Sequence, residues 1–369
     1  MRPAYGPSKL HRFRVGGGFM HRVALLRGDG IGPEIVDAAC RVIAACGVGI
    51  DWVRLEGGLD AKEKYGTPLP NETLAAYLDC GIGFKGPFAV ELEDEMIRPC
   101  IRNEGLDGHV RRAYNSATNA LRREGGGYAA VRLAKSYPGV PAPIPGVDVA
   151  VIREISEDIY IASEYTLGDD TAVALKIISR KASEKIVRFA FEFAAAAGRK
   201  KVTAVHKANV LKQTDGLFVR AARKIAMEYP AIGFNERFID ASCALMVSRP
   251  AEFDVAVMPN QYGDIFSDLC SSAAGSLGIG SGATYGTKAC LFEPVHGTAP
   301  DIAGKGIANP VSQILSGALM LRHLEEDPAA SAIEKAVEGA LSDPNNHTPD
   351  LGGRATTKQL TQAVIDRLG

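Results

Sequence analysis

An α/β fold in two lobes is what this chain of 369 residues predicts. Two observations carry the prediction. β-Branched apolar runs alternate with helix-length segments along the whole chain, the pattern of sheet strands joined by helices. A composition of 46% hydrophobic and 23% charged residues at this length supports a large core, more than one lobe needs. The 42 basic and 43 acidic residues leave a net charge of -1. No global field therefore draws the chain to nucleic acid or an anionic membrane, and small-molecule chemistry is the default.

Residues 1–20 are basic, lack any acid and end near Gly16-Gly17-Gly18, without the apolar core of a secretory signal, so they read as a loose extension. Residues 21–26 read as a strand, Gly28-Asp29-Gly30-Ile31-Gly32-Pro33 as a turn, and 34–45 as a helix with Pro33 in its first turn. This glycine spacing departs from the dinucleotide fingerprint, so no Rossmann fold is assigned and the glycines read as a tight turn. Pro68-Leu69-Pro70 opens another helix, and 80–87 is a strand ending in Lys85-Gly86-Pro87. The charged stretch 91–112 has little periodicity and reads as a long loop, of a kind uncommon unless functional or disordered. Residues 115–122 look helical and 131–138 extended.

Residues 147–152 form an apolar strand that delivers Arg153-Glu154-Ile155-Ser156-Glu157-Asp158-Ile159-Tyr160, and 171–178 form another. A helix over 183–196 stops at Gly198. The strand 201–206 leads into Lys207-Ala208-Asn209 and a helix through 217–227. The apolar run 253–258 precedes Asn260-Gln261-Tyr262-Gly263-Asp264-Ile265-Phe266-Ser267-Asp268 and a small-residue helix, 269–277. If that helix begins near Asp264, then Asp264 and Asp268 are one turn apart and point the same way. Such a pair suits a hard cation, Mg2+ or Mn2+. It reads equally as a helix cap and a solvated carboxylate near the helix's positive end.

The seven cysteines are scattered, with no C-x-x-C pair, and point to reduced thiols in a cytoplasmic protein. No apolar run approaches the length of a membrane span.

The wording NQYGDIFSDLCSSAAGSLG closely resembles the signature of the isocitrate and isopropylmalate dehydrogenases, and GDGIGPEI, HKANVLKQTDGLF and FEPVHGTAPDIAG resemble other parts of the same family. The resemblance runs from about Arg22 to the C-terminus. It implies a two-lobed fold with a central mixed sheet flanked by helices, in which 21–127 and 275–369 form a large domain. Residues 128–274 would form a smaller one carrying much of a homodimer contact. It implies NAD-linked oxidation and decarboxylation of a 2-hydroxy acid, with Mg2+ or Mn2+.

Such chemistry needs a base for the hydroxyl proton, a hydride acceptor, an electron sink and an acid for the enol carbon. By resemblance Lys207 assists the base step and Tyr160 is the acid, while Asp240, Asp264 and Asp268 hold the metal. In the family the lysine and the first of these aspartates come from the neighbouring subunit, so active sites would be shared. Arg122, Arg132 and Arg153 fall at positions that bind substrate carboxylates, where guanidinium groups give bidentate recognition. Ser116 aligns with a hydroxyl that reads the distal end of isocitrate, and Thr118 stands where isocitrate dehydrogenases usually have asparagine. His296, Gly297, Thr298, Ala299, Pro300, Asp301 and Ile302, with Asn309 and Asp350, match the cofactor pocket. A carboxylate at Asp301 accepts from a ribose 2′-hydroxyl and repels a 2′-phosphate, which favours NAD over NADP.

The departures gather around the substrate. Phe88-Ala89-Val90 follows Lys-Gly-Pro where the family usually has a Thr-Pro pair, and the loop before Ser116 is longer than usual. Gly125 to Leu133 replaces a more apolar stretch ending Arg-Pro, and Ile155 replaces an asparagine. The long loop carries Arg98, Arg102, His109, Arg111 and Arg112, charges for a more highly charged distal group or simply for solvent. Isocitrate is the first expectation. A phosphonate-bearing malate, isopropylmalate, homoisocitrate and tartrate follow, and a non-catalytic regulatory subunit is the reading from another class.

Overall fold

The structure, a computed structural model, describes residues 12–15, 18–90, 97, 100–102, 109–111 and 114–369. The chain divides into two compact units. One comprises Tyr128–Ser136 and Ala142–Leu277; the other comprises the described residues up to Gly127, with Tyr137–Pro141 and Gly278–Gly369.

In the first unit the strands lie in the order Gly127–Lys135, Asp148–Glu154, Val255–Met258, Lys201–His206 and Gly233–Phe238. The first pair is antiparallel and the other three pairings are parallel. Register places Met258 beside Arg153 and Phe238 beside His206, so four parallel strands end along one edge. Their apolar runs need cover on both faces. Helix Arg180–Ala196 supplies part of it, burying Ile186, Val187, Phe189, Phe191 and Ala194. Ser179 caps its start by accepting the Ala182 amide at 3.2 Å, and Gly198, at φ +67°, turns the chain out of it. Helix Asn260–Ala274 packs Phe266 and Cys270 into a cluster with Val149, Val151, Val205, Met246 and Phe253.

The second unit orders its strands Arg12–Val15, Gly18–Leu26, Ile82–Lys85, Cys290–Pro294 and Ser281–Gly286, with Ile50–Leu55 also paired to Gly18–Leu26. The two end pairings are antiparallel and the rest parallel. Both units are thus mixed α/β, their strands flanked by helices. Helix Val311–His323 is buried on nearly every face, and Leu26, Leu74, Tyr77, Leu121 and Leu291 fill a core cluster.

Several expectations change. The helix after the 253–258 run begins at Asn260, behind Pro259, so Asp264 lies in its second turn and does not cap it. The pair Asp264 and Asp268 still shares one helical face, because both fall inside the helix. Thr171–Ala174 is shorter than expected and pairs antiparallel with Glu164–Leu167 as an exposed hairpin. Within the long loop, Cys100–Arg102 pairs with His109–Arg111. The side chains of Arg98, Arg102, His109, Arg111 and Arg112 lie outside the described residues. The 1–20 extension includes a strand, Arg12–Val15, and its first eleven residues lie outside the described ones. Cys40, Cys46, Cys80, Cys243, Cys270 and Cys290 are free thiols. Among the described residues no helix is long and apolar enough to cross a membrane.

Candidate active site

The carboxyl ends of parallel strands are where open α/β sheets place ligands, because loops leaving them converge on one edge. In the first unit that edge delivers most of the chemistry expected from sequence. Arg153 ends one strand, Lys207 follows the next, Asp240 opens the helix after Gly233–Phe238, and Asp264 and Asp268 ride the helix after Val255–Met258. The side chains then meet in two groups.

In the first group the buried Arg153 donates to Asp264 and, through Nε, to Asn260 Oδ1 at 2.8 Å. Its guanidinium lies 5.3 Å from the centre of the Tyr160 ring. Partial burial, and then the Asp264 carboxylate to which the phenol donates, raise the Tyr160 pKa and so keep its proton in place. Asp268 reaches solvent, yet its carboxyl is raised by partial desolvation and by Asp264, against Arg132 and Arg153. The second group is Lys207 and Asp240, with Nζ 2.7 Å from the carboxylate. That contact holds the exposed Asp240 carboxyl below its usual range. Among the described residues no three His, Cys, Asp or Glu side chains converge, so Asp240 does not join Asp264 and Asp268 within one chain. Asp264 and Asp268 nonetheless fit a hard cation in kind: all donors are oxygen, and their like charges, one turn apart, oppose each other without one.

Behind this edge Glu154 is buried and accepts from the Ser156 amide at 2.7 Å, the Glu157 amide at 3.0 Å and the Ser156 hydroxyl. Burial pushes its carboxyl up to about 7 despite those bonds.

In the second unit Arg122 donates from Nε and Nη2 to Glu293 Oε1, at 2.9 and 2.6 Å, while buried Lys85 sits 3.0 Å from Glu293 Oε2. Lys85 also lies 4.6 Å from the centre of the buried Phe88 ring. Ser116 caps helix Ala117–Glu124, accepting the Asn119 amide at 3.1 Å, and Thr118 lies half-buried in its first turn.

The loop expected to hold the cofactor begins at the end of Cys290–Pro294 and bends through Ala299, at φ +39°, into a short turn Pro300–Ile302 that leaves Asp301 exposed. His296 shares a hydrogen bond of 3.0 Å with the Gly297 carbonyl. Buried Asn309 donates to Asp350 at 3.0 Å, and Thr348 donates to the other Asp350 oxygen at 2.5 Å. The glycine turn does more than reverse the chain. Ile31 donates its amide to the Thr298 carbonyl at 2.9 Å, and Asp29 accepts the amides of Leu59 and Ala89, both at 2.8 Å. A Cβ on Gly30, at φ +57°, would stand 2.1 Å from the Thr298 oxygen.

Sequence reasoning did not single out Lys85, Glu154, Asp158, Lys176 or Asp215. One signal was present for Lys176: a single charge inside the β-branched run 171–178.

Comparison with known proteins agrees with this architecture. The family model described as isocitrate/isopropylmalate dehydrogenase matches residues 22–366. A 3-isopropylmalate dehydrogenase of Archaeoglobus fulgidus is 40% identical over 95% of this chain and all of its own. An isocitrate/homoisocitrate dehydrogenase of Thermus thermophilus is 41% identical over 94% of this chain and 98% of its own. The crystal structure of isocitrate dehydrogenase from Methylococcus capsulatus superposes with a TM-score of 0.86 at 43% identity, covering 95% of this chain and 99% of that one. The chain therefore belongs to the isocitrate/isopropylmalate dehydrogenase family and is an enzyme of the oxidative decarboxylating type whose members use a divalent metal.

Proposed function

We propose that the protein catalyses NAD-linked oxidative decarboxylation of a 2-hydroxy acid bearing a β-carboxylate, with isocitrate as substrate. The observation that carries this reading is the arrangement along the carboxyl ends of parallel strands in one unit, with Arg153, Tyr160 and Asp264 in one group and Lys207 with Asp240 in another. Arg122, Arg132 and Arg153 bind the substrate's carboxylates. Lys207, reaching in from a second copy together with Asp240, takes the hydroxyl proton as the alcohol is oxidised. Tyr160 returns a proton to the enol carbon after carbon dioxide leaves, a role suited to a phenol whose surroundings disfavour ionisation. When bound, a divalent cation at Asp264, Asp268 and Asp240 of a second copy supplies the electron sink, and NAD at the 292–304 loop supplies the hydride acceptor. Exposed Asp301 supports NAD over its 2′-phosphorylated form.

A second reading, a substrate with a phosphonate or other altered distal group, is favoured by Phe88. Where relatives place a Thr-Pro pair, Phe88 turns inward over Lys85 and offers no hydroxyl.

The test is initial NADH formation with Mn2+ on isocitrate, isopropylmalate, homoisocitrate, tartrate and a phosphonate-bearing malate, each repeated with NADP. The expected outcome is fastest turnover of isocitrate with NAD. In Lys207→Ala, turnover should fall by roughly 10²–10⁴-fold while metal-substrate binding persists. Negligible isocitrate turnover beside a strong response to another acid would transfer the assignment to that acid. Inactivity on every acid would favour a non-catalytic subunit.

A further inference from the structure

Two fully buried aspartates stand behind the segments that carry the proposed catalytic groups. Asp158 holds a left-handed backbone, φ +76°, which a residue with a side chain keeps only where its surroundings fix it. Its Oδ1 accepts the Ile159 amide at 2.9 Å, and its Oδ2 accepts the Gln261 amide at 3.0 Å. One carboxylate therefore ties the turn bearing Tyr160 to the first turn of the helix bearing Asp264 and Asp268. Asp215 accepts the Lys207 amide at 2.7 Å and also holds the Tyr262 phenol. Between the two aspartates lies Lys176. Its Nζ is 2.8 Å from Asp158 Oδ1, 3.6 Å from Asp215 Oδ1 and 4.6 Å from the centre of the Tyr262 ring.

Two carboxylates buried this close repel each other unless a cation stands between them, and without it the amides they hold lose their fixed acceptors. We propose that Lys176 is a positioning residue: the cation through which Asp158 and Asp215 hold the Tyr160 turn, the Lys207 turn and the acidic helix in one arrangement. The roles of those three segments rest on the function proposed above, while the linkage between them does not. Misplacement at a reacting centre by about 1 Å costs on the order of 10²-fold in rate, so loss of the cation acts on turnover more than on affinity.

The experiment is hydrogen–deuterium exchange of the full chain read by mass spectrometry, paired with kinetics on the best substrate. In the unaltered protein, peptides covering 157–162, 205–210 and 259–263 should exchange as one slow unit. In Lys176→Met all three should speed up at least about tenfold while helix Arg180–Ala196 is unchanged, and kcat should fall on the order of 10²-fold with KM within about threefold. Lys176→Arg, which keeps the charge, should restore both protection and most of the turnover. Unrelated exchange rates in the unaltered protein, loosening of 157–162 alone, or a kcat within about threefold in Lys176→Met would overturn the proposal. If Lys176→Met does not fold, exchange in the unaltered protein and in Lys176→Arg still decides. Absence of turnover on every acid would remove the proposed function and leave the linkage to be judged by exchange alone.

Discussion

His323 shows how a single side chain sets a pH limit. Both ring nitrogens are buried and lack hydrogen-bond partners among the described residues, and the ring sits 5.9 Å from that of Tyr285 and 5.7 Å from that of Phe292. Burial pushes its pKa down to about 4 from 6.5, so the folded protein keeps the ring neutral where the unfolded chain would protonate it. Its stability is whole above pH 6.5 and is lost as pH falls from there towards about 4, a difference of roughly 3 kcal/mol. Urea unfolding at pH 7 and pH 4.5 should show this loss in the parent and much less of it in His323→Leu; equal losses would refute the account. At this scale the sequence was legible where residues sit inside a distinctive wording. Asp264, Asp268 and Lys207 became candidates that way. Asp158 and Lys176 did not, because what gives them meaning is an amide and a carboxylate brought together from distant parts of the chain.

Among elements, the glycine turn gained the most from being seen folded. The spacing of Gly28, Gly30 and Gly32 predicted a tight turn, but not its grip on Thr298. Gly30→Ala meets both a left-handed backbone and the Thr298 carbonyl, and should destabilise the protein by about 1–3 kcal/mol. Because the displaced partner belongs to the loop proposed to hold NAD, titration should show affinity for NAD falling more than affinity for the acid substrate. Equal losses would separate the turn from the cofactor. Helix starts were the least legible feature. Asn260–Ala274 begins one turn before the expected Asp264, since Pro259 can precede a helix and carries no polar cap to mark it.

For the whole molecule, exposed apolar side chains on the first unit suit a second copy of the chain. Val247 and Ile265 lie on helices Ile239–Ser248 and Asn260–Ala274, and Tyr165 and Leu167 on the exposed hairpin. Sedimentation equilibrium should give twice the 39.1 kDa of the chain. Val247→Arg with Ile265→Arg should yield monomers that lose turnover, because Lys207 and Asp240 are proposed to serve the neighbouring copy; active monomers would end that view of shared sites. The alternation of strands and helices was readable along the chain, but the strand order was not, for it depends on pairings between remote segments. One such pairing has a temporal meaning. Strand Ile82–Lys85 finds its neighbour Cys290–Pro294 only after the entire first unit has left the ribosome. The unit inserted in the middle can therefore finish folding while the one that begins the chain still waits with an open sheet edge. During synthesis, the half made first is the half completed last.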